Sequence, residues 1–359
     1  MYNFLKQWWW KVLATVLIIY TLIMGFLIPL GTGIVDIEPS KTNAGDTVQV
    51  KIEGYNSHFL KGNGNQSLGI KAFLKNDENL LCAASVEAKS DRTLWATFEI
   101  PADLKIESKT DFYSIVVTDP YDGTFFLANA FGISRVDTSL SSRNVSCVKE
   151  LTIEKGAATT FPYREILYET IRNLFFHVPM WFAMIAMLIF SFGSSIAYLN
   201  SGNSRYDIYA HQAVIVGVFF GILGLLSGMV WAKNTWGAYW TNDPRLNGAA
   251  VGELVYIAYL VLRNSLTNDI TRSKVSAVYN IFGFVIYIVF IFVVPRINDS
   301  LHPGQGGNPA FSNYDLDSTL RLVFYPACMG FILLAFWLSA ILIRMEIISK
   351  ESAFIDSKP

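Results

Sequence analysis

Two of the four histidines, His177 and His302, lie where an imidazole could serve as a metal ligand. His177 begins the run His-Val-Pro-Met-Trp at the start of a long apolar stretch, and His302 lies in a polar loop between two later apolar stretches. A neutral imidazole is the commonest protein ligand for transition metals. A single loop histidine is more often only solvated, so the assignment depends on what surrounds the pair.

An aromatic segment between two further apolar stretches offers a binding surface. Residues 231–245 contain three tryptophans, one tyrosine, a glycine that permits a turn and an Asp-Pro pair that ends it. Tryptophan and tyrosine are also enriched at membrane interfaces, because their rings are apolar while their N–H and O–H groups stay wet. From this pattern alone the segment is either an aromatic belt or a flat apolar platform for a planar ligand.

The composition predicts the elements that must position these residues. Hydrophobic residues make up 52% of the chain and charged residues 16%, and a net charge of −1 gives no reason to expect a nucleic-acid partner. A helix needs about 20 apolar residues to cross the hydrocarbon core of a bilayer. Six windows are long and apolar enough, or nearly so, to predict transmembrane helices: 12–30, 178–199, 213–231, 249–262, 275–294 and 322–343.

Basic residues predict the orientation of these helices. With the N-terminus inside, nine lysines and arginines fall in the inner segments and four in the short outer loops, and cytoplasmic loops carry the excess of such residues. Both termini are therefore predicted to be cytoplasmic, which brings His177, residues 231–245 and His302 to one outer face. Two imidazoles beside an aromatic platform could complete the octahedral coordination of a haem iron from opposite sides.

Residues 31–165 form a predicted outer insertion between the first and second helices. Short runs of alternating apolar and polar residues are separated by turn formers such as Asn-Ala-Gly-Asp and Asp-Pro-Tyr-Asp-Gly. About seven such strands predict an immunoglobulin-like β-sandwich. Cys82 and Cys147 would lie in an oxidising compartment there, where they are either a disulfide or two free thiols.

The predicted fold class is an all-α polytopic membrane protein of six transmembrane helices with an inserted extracytoplasmic immunoglobulin-like β-sandwich. Its predicted domains are the first helix (1–30), the β-rich insertion (31–165), a five-helix membrane core that carries the aromatic segment (166–346) and a cytoplasmic tail (347–359).

Three other ionisable residues are predicted to have different roles. His211 falls near the inner end of the third helix, on the side opposite the pair, and is expected to be interfacial rather than a ligand. His58 is expected to be solvated in the insertion. Glu253 lies within a predicted helix, where an ionisable group is costly and commonly faces the protein interior. It could pair with Arg245 or with a loop donor, and a proton or substrate role stays open without a second feature to support it.

At the two histidine segments and the aromatic segment, the sequence resembles the tryptophan-rich-loop (WWD) family of cytochrome c biogenesis proteins, and within it the haem exporter protein C (CcmC) type. Tyr239 and Asn242 stand where that family has further tryptophans, and the 31–165 insertion is absent from its ordinary short members. The residues that match are His177-Val178-Pro179 with Trp181, then Trp236-Gly237 with Trp240, Asp243 and Arg245-Leu246, and finally Leu301-His302 with Gln305-Gly306.

The resemblance implies a protein of a bacterial inner membrane, with the insertion in the periplasm, that binds haem b transiently. It would pass the haem to a haem chaperone of cytochrome c maturation and act with other subunits of a haem export complex. In that scheme His177 and His302 are the axial iron ligands. The other roles are porphyrin packing by Trp236, Tyr239 and Trp240, close backbone approach at Gly237, loop orientation by Asp243 and propionate pairing by Arg245.

Two alternatives stay open on the sequence. No nucleophile beside a base is evident, so no catalytic residue is assigned. A cytochrome c synthase-type enzyme (CcsA-like), which itself attaches haem to an apocytochrome, would need histidines at mid-membrane depth. A membrane adaptor would dock a partner through the insertion and bind no haem.

Overall fold

The structure, a computed structural model, describes residues 2–61, 69–106, 108–135, 153–154, 156, 159–165, 167–302 and 316–356. The chain divides into two compact units, one of Met1–Leu27 with Thr170–Pro359 and the other of Ile28–Glu169. The first unit is helical, and the second consists mainly of strands.

Six helices of the described residues are long and apolar enough to cross a membrane. This finding confirms the six predicted transmembrane helices, and the protein is a multi-pass membrane protein. A short 3-10 helix, Tyr168–Phe175, precedes the second of them, and the fifth contains a π-helical turn at Val289–Val293. The helices are α1 (Tyr2–Leu27), α2 (His177–Ser201), α3 (Ser204–Trp236), α4 (Pro244–Ser265), α5 (Asp269–Ile297) and α6 (Ser318–Asp356).

Polar residues define where the helices begin and end. Asn203 and Asn268 lie just before α3 and α5, and their side chains accept hydrogen bonds from the first backbone N–H groups of those helices. Such caps satisfy donors that have no partner within the helix. We call the end of the helical unit that carries residues 237–243 the site end, and the end that carries residues 202–203 and 266–268 the far end.

A row of glycines on α3 allows α2 to pack closely against it. The spacings of four, three and four residues place them on one helix face. A Cβ atom at Gly224 would lie 2.8 Å from Trp181 Cε2, and one at Gly228 would lie 2.7 Å from His177 Cε1. Small residues at such positions let two membrane helices approach each other. The row consists of Gly217, Gly221, Gly224 and Gly228.

A buried ion pair joins α3 and α4 at the far end. Arg263 donates two hydrogen bonds of 2.7 Å to the two carboxylate oxygens of Asp207. Both side chains are only 6% exposed. Two parallel bonds of this kind give the pair a fixed geometry.

The second unit contains eight strands in the hydrogen-bonded order β1-β3-β6-β5-β4-β7-β8-β2. All neighbours are antiparallel except β2 and β8, which are parallel. Alternate residues point into the core, as Val50 and Ile52 of β3 do. The strands are β1 (Gly33–Glu38), β2 (Lys41–Asn43), β3 (Thr47–Tyr55), β4 (Lys71–Lys75), β5 (Leu80–Ser90), β6 (Thr93–Glu99), β7 (Thr110–Asp119) and β8 (Gly123–Ser134).

The predicted fold class is wrong. The chain is not all-α, because this unit is an extensive mixed sheet, and the sheet is one curled half-barrel rather than the two separate layers of a sandwich. The physical cause lies in β5: residues 80–82 pair with β4, and residues 83–90 pair with β6. A strand shared in this way carries the hydrogen bonding around a curve. The predicted β-rich insertion itself is present, and Cys82 in β5 is disulfide-bonded. Cys147 lies outside the described residues.

Candidate functional site

The ring of His177 is held in one orientation at the start of α2. Its Nδ1 atom lies 3.0 Å from the carbonyl oxygen of Gly224 and 3.1 Å from the hydroxyl of Ser227. A carbonyl oxygen only accepts, so the bond to Gly224 requires the proton to be on Nδ1. The lone pair of the imidazole is then on Nε2, the arrangement found in histidines that bind metals.

Asp243 caps the first turn of α4. Its Oδ1 atom accepts hydrogen bonds from the backbone N–H groups of Arg245, at 2.8 Å, and Leu246, at 3.4 Å. Pro244 follows as the first helical residue, where its missing N–H costs nothing. The Asp-Pro pair predicted to end the aromatic segment therefore begins a helix.

The same carboxylate fixes the segment that carries His302. Asp243 Oδ2 accepts from the Ser300 hydroxyl at 2.8 Å and from the backbone N–H of Leu301 at 2.7 Å. Nδ1 of His302 lies 3.2 Å from Asp243 Oδ1. Since a carboxylate only accepts, His302 also keeps its proton on Nδ1 and its lone pair on Nε2.

The charges around this carboxylate favour a neutral imidazole beside an ionised aspartate. Burial opposes ionisation of Asp243, but hydrogen bonds from Ser300, Leu301 and Arg245 outweigh it and hold the carboxyl pKa below its usual value. The pKa of His302 is lowered, mainly by burial. Asp243 raises that pKa, and the nearby charge of Arg245 lowers it. A lowered pKa keeps the His302 lone pair free at neutral pH.

Tryptophan rings surround the two imidazoles. The centroid of the His302 ring lies 5.0 Å from that of Trp236 and 5.8 Å from that of Trp231. The His177 ring lies edge-on to Trp181 at 6.2 Å. The two imidazoles are also close enough to each other for a charge on one to act on the other. The site end therefore combines two imidazoles with an apolar aromatic lining.

Two of the predicted platform residues lie on the surface instead. Gly237 has a φ of +80° and its N–H donates to the carbonyl of Lys233, which ends α3 before the remaining aromatics. Tyr239 is 56% exposed and Trp240 is 40% exposed. The indole N–H of Trp240 donates to Asn247 Oδ1 at 3.2 Å. Within the described part of the chain, the rings that pack on His302 are those of Trp231 and Trp236 rather than these two.

The structure thus brings together most of the predicted site residues and separates two of them. His177, His302, Trp236, Asp243 and Arg245 share the site end, and Gly237 ends the helix that leads to it. Three residues of the site, Ser227, Gly224 and Ser300, were not predicted from the sequence, and Trp231 was predicted only as part of the aromatic segment. The glycine spacing of α3 was a usable signal for the helix that faces His177, whereas nothing local marks Ser300. Gln305 and Gly306 lie outside the described residues.

The surroundings of the other ionisable residues agree only in part with those predicted from the sequence. His211 lies at the far end, 6.3 Å from the ring of Tyr259, and its buried Nδ1 has no hydrogen-bond partner among the described residues. His58 is only partly exposed and bonds through Nδ1 to Asp122 at 3.0 Å. Glu253 is 2% exposed, and neither carboxyl oxygen has a partner in the described chain, so it pairs there with neither Arg245 nor a loop donor.

These features define a class: a multi-pass membrane protein with a paired-imidazole, tryptophan-lined site at one end of its helices. Residues 146–356 match the family model "CcmC: Heme exporter protein C". That match covers more than half of the chain, so the chain belongs to the CcmC family. The resemblance predicted from the sequence is thereby confirmed.

Individual relatives agree with the family match. The chain is 26% identical over 178 residues to "Heme exporter protein C" of Paracoccus denitrificans (strain Pd 1222), covering 50% of this chain and 73% of the relative. It is 24% identical over 158 residues to the protein of that name from Rhodobacter capsulatus, covering 43% and 65%. It is 28% identical over 156 residues to "Cytochrome c biogenesis protein CcsA" of Cuscuta reflexa, covering 44% of each chain.

Proposed function

We propose that this protein binds haem at the site end and passes it on during cytochrome c maturation. The observation that carries the proposal is that both imidazoles are held in the same tautomer. Each is held through Nδ1 by a pure acceptor, the Gly224 carbonyl or the Asp243 carboxylate, and each keeps the lone pair on Nε2. Two imidazoles prepared in this way suit the two axial positions of a haem iron.

The side chains at the site end suit a metal whose other ligands come from a bound cofactor. Among the described residues, no group of three or more His, Cys, Asp or Glu side chains is arranged to hold a metal ion. Two imidazoles alone would bind a bare ion weakly. In haem the porphyrin supplies four ligands, so His177 and His302 would complete the six.

The surroundings also suit the rest of the haem molecule. Trp231 and Trp236 supply apolar rings beside His302, and Arg245 lies close enough to His302 to lower its pKa. Arg245 would pair with a haem propionate. The sequence contains no Cys-x-x-Cys pair, so the bound haem would stay b-type and transferable, as a cargo requires.

The predicted orientation gives the membrane face at which haem would be bound. The excess of basic residues in the loops assigned to the cytoplasm favours a site at the outer face of a bacterial inner membrane, with both termini inside and the β-rich unit in the periplasm. The recipient would be a haem chaperone, and other subunits of a haem export complex would be the partners. This scheme is binding and transfer rather than covalent catalysis.

An absorption spectrum of the detergent-purified protein, with added haem, tests the proposal. We expect a six-coordinate, low-spin b-type spectrum in the unchanged protein. His177→Ala and His302→Ala should each give a five-coordinate spectrum or no binding, because iron then has one strong-field ligand. His211→Ala, at the far end, is the matched control and should leave the spectrum unchanged. Wild-type spectra in both of the first two variants would refute the ligand assignment.

The relatives named CcsA favour a second candidate, a synthase-type enzyme that attaches haem itself. This candidate would need histidines at mid-membrane depth, and apart from His177 and His302 the helical unit has only His211 to offer for that role. Loss of the haem spectrum in His211→Ala, together with formation of covalent cytochrome c by the purified protein and an apocytochrome, would support it over haem transfer.

A further inference from the structure

Glu253 places a carboxyl group deep within a membrane-spanning helix. It lies nine residues after Pro244, the first residue of α4, which corresponds to about 14 Å along the helix axis. The hydrocarbon core of a bilayer is about 30 Å thick. Glu253 is therefore near the middle of the span, and only 2% of its surface is exposed.

On each helix that packs against Glu253, the groups that face its carboxyl are uncharged. A Cβ atom on Gly221 of α3 would lie 2.1 Å from Glu253 Oε2 and 2.7 Å from the Met184 sulfur of α2. The carboxyl thus occupies space that the glycine leaves open. From α5 the facing titratable group is the Tyr287 phenol, and on α4 itself the nearest is that of Tyr256, one turn away. No charged group in the described chain acts on Glu253.

This environment requires Glu253 to be neutral. An ionised carboxylate without a cation or hydrogen bonds is strongly disfavoured in an apolar interior, and such a group takes up a proton instead. Neither of its oxygens has a hydrogen-bond partner among the described residues, and the hydroxyl of the fully buried Tyr256 also has none. Two open hydrogen-bonding groups therefore lie three residues apart on one face of α4.

That face continues as a row of polar groups to the far end of the helix. The ring centroids of Tyr256 and Tyr259 are 6.5 Å apart. The Tyr259 hydroxyl interacts with Arg263, which is paired with Asp207 at the end of the span. A carboxyl, two phenols and a guanidinium thus follow one another along the buried side of a single membrane helix.

We propose that Glu253 is a proton-binding site within the membrane-spanning part of the protein, and that this site is occupied at neutral pH. The proposal does not rest on haem binding, and its test uses haem-free protein.

Infrared spectroscopy of the purified full-length protein at neutral pH detects such a group directly, because the C=O stretch of a protonated carboxyl lies apart from the amide bands. We expect this band in the unchanged protein, a shift in D₂O and complete loss in Glu253→Gln. Asp207→Asn is the matched control: Asp207 is equally buried but ionised by Arg263, so its variant should keep the band. A protein without the band, or a band that survives in Glu253→Gln, would overturn the proposal.

Two further measurements distinguish proton binding from ion pairing and from metal-cation binding. Glutamine has the shape of a neutral glutamic acid, so Glu253→Gln should unfold at the same temperature as the unchanged protein; marked destabilisation would mean that an ionised, paired Glu253 had been removed. Sodium chloride in place of choline chloride should leave the band unchanged, and its loss would indicate a metal-cation site instead.

Discussion

Replacing Asp243 by asparagine should weaken haem binding although Asp243 itself need not touch haem. Its Oδ1 atom accepts from the α4 backbone and from Nδ1 of His302, while Oδ2 accepts from the Ser300 hydroxyl and the Leu301 N–H. The backbone N–H groups among these partners can only donate, whereas the Ser300 hydroxyl and the imidazole nitrogen can also accept. An asparagine has a single acceptor oxygen, so one of the two sets must face an NH₂ group.

The magnitude follows from the better of the two asparagine orientations. With the amide oxygen at the Oδ1 position, the helix cap and the His302 bond survive, and the bond from the Leu301 N–H is lost. A hydrogen bond to a charged group contributes about 1.5–3 kcal/mol. If about 2 kcal/mol of this lost free energy is needed to hold His302 in its binding position, haem affinity drops about 30-fold.

Haem titration of the purified variant, followed by absorption, measures this loss and shows whether the iron becomes five-coordinate. Asp317→Asn is the matched control, because Asp317 also accepts from a backbone N–H at a helix start, that of Leu320 at 2.7 Å. It should bind haem with wild-type affinity. An Asp243→Asn protein with wild-type affinity and a low-spin spectrum would refute the argument that the carboxylate holds His302 in place.

Three other outcomes are expected. Trp236→Ala removes a ring beside the imidazole and should cost about 1.5–3 kcal/mol of haem affinity, whereas the exposed Trp240→Ala should change haem affinity less than about threefold in the same titration; equal losses would contradict the contrast. Gly228→Ala should displace the imidazole that its Cβ would meet at 2.7 Å and disturb the haem spectrum, while Gly193→Ala, which would meet nothing within 4 Å, should not. Residues 28–169 expressed alone should give a β-rich circular dichroism spectrum without haem; a helical or unfolded spectrum would show that this unit depends on the membrane helices.

The membrane helices were predictable because a single physical requirement, enough apolar residues to cross the bilayer, can be read from local composition. The β-rich insertion was predictable from alternation within each strand. Its sheet was not, because strand order depends on pairings between distant residues, and the shared strand β5 has no local mark. The class of the β unit was therefore wrong although its location was correct.

The site shows the same division between local and long-range information. His177, His302 and Asp243 were selected for their chemistry, and the structure brings them together. The error at Tyr239 and Trp240 has a local cause: α3 extends to Trp236, beyond the predicted window that ends at residue 231, so the aromatic segment is half helix and half turn. Trp231 was therefore placed at a helix end instead of beside His302.

The buried pair of Asp207 and Arg263 has a consequence for how the protein enters the membrane. Asp207 is in the first turn of α3 and Arg263 in the last turn of α4, so synthesis of α3 is complete before its partner charge exists. An unpaired charged residue opposes helix insertion by about 2.5–3.5 kcal/mol at the centre of a span and by less near its ends. We therefore expect α3 and α4 to leave the translocation machinery together as a hairpin, with the two charges already neutralising each other.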